Sequence, residues 1–245
     1  MTFQKGNQLR LKPLPKKLIE NKLLAYILGV IVGDGHLTKY TILLGGVIDK
    51  DFVLAFKKIL EDWTGLKVSF HIYGKDYWVE LCSKSVVSFL KNYNNINKIA
   101  DVVKRVNGEK EFLRGIYDSE GCVGNKEIII CNKNKQLLLL CKKLLLSLGI
   151  GSGKIYIGVK KGTLYKFSDE DKGTTNYNNY KFEINGKYNL IKFRNLIGFN
   201  IKRKQKKLIS EINSYLSKKQ TKFMKSLPND KRKNWREGYN NKNNT

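Results

Sequence analysis

The spacing of hydrophobic residues along this chain changes from helical to alternating and back, and it does so in the same order twice. Apolar residues three and four apart predict helices, and alternation of apolar with polar residues predicts strands. The first half reads as helix, strands, helix, strands and helix, over about 20–33, 36–47, 51–63, 67–82 and from Ser85. The second half repeats this order, with a helix to about Ser119, strands within 122–131, a helix over about 135–148, strands near 154–159 and 180–184, and a last helix from about Tyr188.

Segments from the two halves also resemble each other in sequence. Residues 79–84 (VELCSK) align with 182–187 (FEINGK), and residues 67–70 align with 154–157. The additional residues of the second copy fall in the polar stretch 160–179, which we interpret as a long hairpin loop. A pattern repeated in this way predicts an α+β fold made of two αββαββα halves related by a pseudo-twofold axis.

The first helix of each half ends in a carboxylate that is followed by glycine, at Asp34 and at Glu120, 86 residues further on. Small residues recur at every fourth position of these helices: Ala25, Gly29 and Gly33 in the first, Gly115 and Ser119 in the second. Such a stripe lets two helix backbones approach closely. If the two helices pack together, their ends bring Asp34 and Glu120 together. Taken alone, an aspartate before glycine is just as typical of a loop cap.

Charge narrows the choice of partner. The chain has 47 Lys and Arg against 21 Asp and Glu, a formal charge of +26. Such an excess favours nucleic acid, because each phosphate contact releases counterions; a ribosomal or membrane-surface protein is the alternative. Four scattered cysteines and two histidines do not have the spacing of a zinc site. The chain lacks a signal peptide and a run of membrane-spanning length, which predicts an intracellular protein with no membrane partner.

Residues 27–35 and 113–121 resemble the LAGLIDADG motif of homing endonucleases. The matching residues are Gly29, Gly33, Asp34 and Gly35 in the first copy, and Gly115, Asp118, Ser119, Glu120 and Gly121 in the second. Two copies in one chain are similar to the monomeric, two-motif members encoded within introns, and the resemblance extends over about residues 20–200. It implies a saddle of antiparallel sheets that straddles DNA, with the motif helices at the central interface.

The resemblance also implies a metal site. It makes Asp34 and Glu120, the eighth position of each motif, the metal-binding carboxylates, and it directs the backbone carbonyls of Gly33 and Ser119 towards the ions. Oxygen ligands favour Mg²⁺, with Mn²⁺ as a substitute. The sixth position, Asp118 in the second copy, is not a metal ligand in the family, and we expect it to form hydrogen bonds near the helix.

Further polar residues are carried over from the family. Lys84 and Lys187 lie at equivalent strand ends and resemble its basic residue that stabilises transition-state charge; an ordinary exposed lysine is the alternative for each. The family often has a polar side chain on the second strand of each half, for which Asp49 and Asn132 are candidates.

A sheet in the major groove reads base edges with side chains from one face of each strand. We expect nucleic-acid contacts from one tyrosine and five lysines, each also compatible with an ordinary solvated surface: Lys39, Tyr73, Lys75, Lys154, Lys160 and Lys181. His36 is interpreted as a DNA-facing or packing residue and His71 as strand surface.

The predicted organisation is an N-terminal half over 1–95, a polar linker over 96–110, a C-terminal half over 111–216 and a basic tail over 217–245. We predict a monomer that acts in an archaeal cytoplasm or in an organelle. Its function would be a site-specific, Mg²⁺-dependent double-strand cut in a long asymmetric DNA target, leaving 3′ overhangs and starting intron homing. The alternatives are an intron RNA maturase on the same fold and a DNA-binding regulator that does not cleave. Both motif carboxylates are present, which favours the enzyme.

Overall fold

The computed structural model describes residues 15–166 and 172–215. These residues form two compact units, which divide between Gly115 and Ile116. Each unit contains the predicted order of elements, so the prediction of two αββαββα copies is confirmed. The tail predicted over 217–245 lies outside the described residues. No described helix is both long and apolar enough to cross a membrane.

The first unit begins with α1 (Lys22–Gly33), in which every residue from Leu24 to Val30 is buried. Asn21 caps this helix: its side chain accepts a hydrogen bond from the Leu24 N–H at 3.1 Å, one of the donors that a helix start leaves open. The elements that follow are β1 (His36–Leu37), β2 (Thr41–Val47), α2 (Lys50–Thr64), β3 (Ser69–Tyr73), β4 (Asp76–Cys82), α3 (Lys84–Leu90), a 3-10 helix (Lys91–Tyr93) and α4 (Ile96–Arg105).

The helix α5 (Glu109–Glu120) leads from the first unit into the second. The elements that follow it are β5 (Gly121–Val123), β6 (Glu127–Asn132), α6 (Lys135–Ser147), β7 (Tyr156–Val159), β8 (Leu164–Lys166), β9 (Lys172–Thr174), β10 (Asn179–Asn185), α7 (Lys187–Leu196) and α8 (Lys202–Asn213). β8 and β9 pair as a separate two-stranded sheet inside 160–179, where a long hairpin loop was predicted.

Each unit has one antiparallel four-stranded sheet, and the strand order is the same in both: β1-β2-β4-β3 and β5-β6-β10-β7. In the first sheet Thr41 lies opposite Cys82, and in the second Glu127 lies opposite Asn185. From first to last residue, β4 and β10 show the same succession of exposed, half-buried and buried positions. The structure therefore supports the alignment of residues 79–84 with 182–187.

One face of each sheet contributes to a hydrophobic core. The buried strand residues are Ile42, Leu44, Val79 and Leu81 in the first sheet, and Ile128, Ile130, Phe182 and Ile184 in the second. Because successive side chains of a strand point to opposite faces, the residues between them lie on the other face, which we call the non-core face. On the non-core face lie Leu43, Trp78, Glu80, His71 and Tyr73 in the first sheet, and Ile129, Cys131, Lys181 and Glu183 in the second.

The first sheet contains a β-bulge, whereas β6 pairs with β10 without a shift of register. Gly45 and Gly46 of β2 together stand opposite the single residue Trp78 of β4. A Cβ atom on Gly45 would lie 1.8 Å from the Trp78 ring, so the indole covers this position and only glycine fits beneath it.

Gly115 lets α5 approach α1 closely within the first unit. A Cβ atom at this position would lie 2.4 Å from the carbonyl oxygen of Tyr26, 3.1 Å from the nitrogen of Val30 and 3.2 Å from the Cα of Gly29. All three are backbone atoms, which no change of rotamer can move away. The close approach expected from the small residues is therefore confirmed at Gly29 and Gly115.

Each unit extends the predicted order by one helix. The segment 96–110, predicted as a polar linker, contains α4, which packs on α1 and buries Ile99, Val102 and Val103. The prediction that α7 is the last helix is wrong, because α8 follows it and buries Leu208 and Ile212. Both helices bury only a narrow apolar stripe among many charged residues, so the hydrophobic pattern alone does not predict them as separate helices.

Candidate active site

The first motif carboxylate, Asp34, caps α1 after Gly33. Its backbone N–H donates to the carbonyl of Val30 at 3.1 Å, and the N–H of Gly35 donates to the same carbonyl at 2.9 Å. A Cβ atom on Gly35 would lie 2.7 Å from the Cα of Ile31, so this turn from α1 into β1 requires glycine. The Asp34 side chain is exposed where the helix meets the sheet.

The second motif carboxylate, Glu120, is the last residue of α5 and is half-buried. Asn132, at the end of β6, donates from Nδ2 to Glu120 Oε1 at 2.6 Å. Asn132 Oδ1 accepts the N–H of Asn134 at 2.8 Å, and the Asn134 side chain caps α6 by accepting the N–H groups of Gln136 and Leu137. This chain of hydrogen bonds connects the carboxylate to the start of α6 and holds its orientation.

The two polar candidates on the second strands differ in their surroundings. Past the bulge of the first sheet, Val47 lies opposite Tyr77, just as Asn132 lies opposite Tyr180 in the second sheet. The position that supplies an amide in the second unit therefore supplies an isopropyl group in the first. Asp49 is instead the N-cap residue of α2.

Asp118 is buried, with 1% of its surface exposed, and it acts through hydrogen bonds as expected. Its Oδ1 accepts the backbone N–H of Asn200 at 2.9 Å, and its Oδ2 accepts the side-chain amide of the same residue at 3.0 Å. The Lys204 ammonium, on α8, donates to the backbone carbonyls of Asp118 at 2.6 Å and of Tyr117 at 3.3 Å. These carbonyls belong to the last turn of α5, where helical N–H partners end.

Sequence reasoning missed both Asn200 and Lys204. Asn200 precedes α8 in a turn, and nothing in its local sequence distinguishes it from the many other asparagines. Lys204 did leave a signal, because it falls on the apolar stripe of α8 formed with Ile201, Leu208 and Ile212, where a lysine is unexpected.

The predicted basic pair, Lys84 and Lys187, occupies equivalent positions: each is the first residue of the helix that follows the third long strand of its sheet. Lys84 is exposed and lines a cleft together with Tyr40, Thr41, Cys82 and Ser83. Lys187 is half-buried, and its Nζ lies 3.5 Å from the carbonyl oxygen of Tyr215. The repeat thus places both lysines alike, and their roles stay predictions.

The six residues predicted to contact nucleic acid fall in two groups. Tyr73 and Lys181 lie on the non-core faces of their sheets. The others are exposed beside strand ends: Lys39 and Lys75 in the turns of the first sheet, Lys154 and Lys160 on either side of β7. All six are described residues, and none is fully buried.

Lys181 is held in place on the non-core face of the second sheet. Its ammonium lies 3.9 Å from Glu183 Oε1 and 5.0 Å from the centre of the Tyr156 ring. The Tyr156 hydroxyl donates a hydrogen bond to Glu183, which raises the pKa of Tyr156. The hydrogen bond with Tyr156, followed by the nearby acidic groups, raises the pKa of Lys181, so this lysine stays charged.

Known proteins share both the sequence and the fold. A family model for a LAGLIDADG-like domain matches residues 107–198, from just before α5 to the end of α7. An uncharacterized protein of Methanocaldococcus jannaschii is 32% identical in an alignment of 224 positions that covers 84% of this chain and 74% of the relative.

Two solved structures extend the likeness to the first unit. One, of mesophilic variants of the homing endonuclease I-DmoI, has a TM-score of 0.54 and 20% identity, and it covers 72% of this chain and 95% of that one. The other, full-length DUF199/WhiA from Thermotoga maritima, has a TM-score of 0.50 and 16% identity over 85% and 66% of the two chains. At such identities the likeness is one of fold. This likeness of fold, together with the matched domain, the relative and the duplicated topology, shows that the chain belongs to the LAGLIDADG family and carries two motif copies.

Proposed function

We propose that this protein is a site-specific DNA endonuclease that cuts both strands by metal-dependent hydrolysis. The observation that carries the proposal is the repeated placement of one carboxylate: Asp34 and Glu120 each stand at the end of a motif helix, within two residues of the first strand of a sheet. A formal charge of +26 supports a polyanionic substrate. The fold alone does not decide the activity, since proteins as different in name as I-DmoI and WhiA share it.

The residues at each motif end fit a hard divalent cation. The donors there are carboxylate oxygens and the carbonyls of a helix C-terminus, which carries partial negative charge. Among the described residues, no cluster of three or more His, Cys, Asp or Glu offers a competing softer site. We therefore assign Mg²⁺, with Mn²⁺ as a substitute, to Asp34 and Glu120 and to the carbonyls of Gly33 and Ser119. When bound, the cation supplies charge neutralisation and an activated water for phosphodiester hydrolysis.

The other site residues bind and orient. Asn132 holds one oxygen of Glu120, so the carboxylate does not have to be ordered when substrate arrives. Lys84 and Lys187 place positive charge at equivalent helix starts, where they stabilise charge that builds up on the phosphate. Tyr73, Lys181 and the four exposed lysines beside the strands contact phosphates and base edges. Because the two sheets differ in sequence, we propose that the DNA target is long and asymmetric. From the resemblance to two-motif homing endonucleases we also propose a monomer that leaves 3′ overhangs and initiates intron homing.

Cleavage of the uninterrupted allele of the host gene tests the proposal. Wild type is compared with Asp34→Asn and Glu120→Gln, in Mg²⁺ and in EDTA, with Asp62→Asn as the matched control. Asp62 is an exposed carboxylate on α2, where it forms a surface ion pair with Lys58 at 3.2 Å. We expect a double-strand cut with wild type and Asp62→Asn in Mg²⁺, and no cut with either motif variant or without metal.

Two other results would replace the proposed function. Tight binding to this DNA without a cut by wild type would indicate a regulator. Binding to the intron transcript, with neither cleavage nor recognition of the DNA, would indicate a maturase.

A further inference from the structure

Lys204 is the buried lysine of α8. Only 7% of its surface is exposed, whereas Lys202, Arg203, Lys206 and Lys207 of the same helix are exposed. Removing an ammonium from water is costly unless the group is paired, and a leucine or methionine would fill the same apolar stripe. The position of Lys204 is therefore explained by what its ammonium binds and not by packing.

The ammonium binds the end of the second motif helix. It donates to the carbonyls of Tyr117 and Asp118, at 3.3 and 2.6 Å, two and three residues before Glu120. A cation at this place also opposes the negative end of the helix dipole. Lys204 thus fixes the backbone from which the motif carboxylate projects.

Asn200 holds the same turn through a side chain. Its backbone N–H and its amide group donate to the two oxygens of Asp118, so Asp118 has one anchor at its carboxylate and another at its carbonyl. Both anchors come from the segment between α7 and α8 or from α8 itself, which lie outside the repeated αββαββα order.

We propose that Lys204, assisted by Asn200, is a positioning residue for the metal site of Glu120. By clamping Tyr117 and Asp118, it sets the direction in which the carbonyl of Ser119 and the carboxylate of Glu120 face the cation. The inference rests on the proposed function, because it takes Glu120 as a cation ligand. Under this proposal α8 supports the metal site of Glu120.

Mn²⁺ binding to the full-length protein tests the inference without relying on cleavage. All variants carry Asp34→Asn, so that the Glu120 site is measured alone, and bound Mn²⁺ is followed from the electron paramagnetic resonance signal of the free ion. Lys204→Met removes the donor but keeps an apolar chain of similar length, and Lys204→Arg keeps a donor. Lys207→Met removes the same charge from an exposed position of α8 and is the matched control.

We expect Lys204→Met to weaken Mn²⁺ binding by about 10–100-fold, the usual effect of losing a group that supports a metal ligand. Lys204→Arg should recover most of the affinity, and Lys207→Met should match the parent. In proteins that keep the wild-type Asp34, single-turnover cutting of DNA should fall in Lys204→Met while the dissociation constant for DNA in Ca²⁺ stays the same. Equal Mn²⁺ affinity in Lys204→Met and Lys207→Met would overturn the inference.

Asn200→Ala keeps the test decisive if Lys204→Met does not fold. It removes the amide that donates to Asp118 Oδ2 and should weaken Mn²⁺ binding several-fold; an unchanged affinity would overturn the inference. A failure of the proposed function gives a different result. Adding Glu120→Gln to the Asp34→Asn parent would then leave Mn²⁺ binding unchanged, and the inference would fall as well.

Discussion

Replacing Gly115 by alanine tests the close approach of α5 to α1. The new methyl carbon would start 2.4 Å from the carbonyl oxygen of Tyr26, about 1 Å inside ordinary contact. The obstructing atoms belong to a buried helix backbone, so relief requires the two helices to separate. A gap of that size forfeits about a quarter to a half of each dispersion contact across it. Overpacking of this kind costs typically about 1–3 kcal/mol or more.

Alanine also favours the helix itself by about 1 kcal/mol over glycine, so the two effects oppose each other. Because the clash is with backbone, we expect the steric effect to win and the first unit to lose about 2 kcal/mol of unfolding free energy. For a protein of this size that is a drop of about 4–8 °C in Tm.

Urea and thermal unfolding of Gly115→Ala, followed by tryptophan fluorescence, measure this loss. In a Trp235→Phe background the signal comes from Trp63 and Trp78, both in the first unit. Gly158→Ala is the comparison variant, because the atoms nearest to a Cβ there belong to the Lys181 side chain, the first at 2.9 Å, and not to the backbone. The control should be neutral or slightly stabilising. A Gly115→Ala protein as stable as wild type would refute the reasoning.

Three further predictions follow from contacts within single units. Asn132→Ala should slow cleavage about 10–100-fold, since Glu120 loses its oriented partner; an unchanged single-turnover rate would show that the amide does not matter. Arg105 donates hydrogen bonds to both oxygens of Glu20 and lowers the pKa of that carboxyl. The stabilisation from this pair is therefore fully present above the pKa of glutamate in the unfolded chain, and it disappears as the pH falls through the lower pKa of Glu20 in the folded protein. Arg105→Met should therefore lower the free energy of unfolding at pH 7 and leave it almost unchanged near about pH 3, as urea unfolding at both values will show. Ellman's reagent should modify the exposed Cys82 and Cys122 at once but Cys141 only on unfolding, because burial raises the pKa of the Cys141 thiol to about 12; rapid labelling of Cys141 would argue against the packing of α6.

The elements that sequence could predict are those whose signal is local. The α1 helix is apolar on most sides, and both α1 and α5 end in a carboxylate followed by glycine, so their type and their ends could be read directly. The strands β4 and β10 share one burial pattern, and the match of residues 79–84 with 182–187 identified both copies.

The elements that escaped prediction depend on distant partners. α4 and α8 are helices because a few apolar residues find a core, and that core is supplied by other segments. Asn200 and Lys204 became functional candidates only through Asp118, more than 80 residues earlier in the chain. The pairing of Asn132 with Glu120 depends on sheet register, which the bulge changes in one copy and not in the other.

The β-bulge at Gly45 and Gly46 has a consequence for how such a chain evolves. In a symmetric homodimer every mutation appears in both halves, so a helpful insertion on one side is also imposed on the other. A duplicated chain is released from that constraint, and the two copies here differ at this point: past the bulge, Val47 stands in the place that Asn132 holds in the second copy. Recombination between the repeats would now give two different products. A chain with two second halves would carry the Asn132 amide in both copies, and a chain with two first halves would carry it in neither.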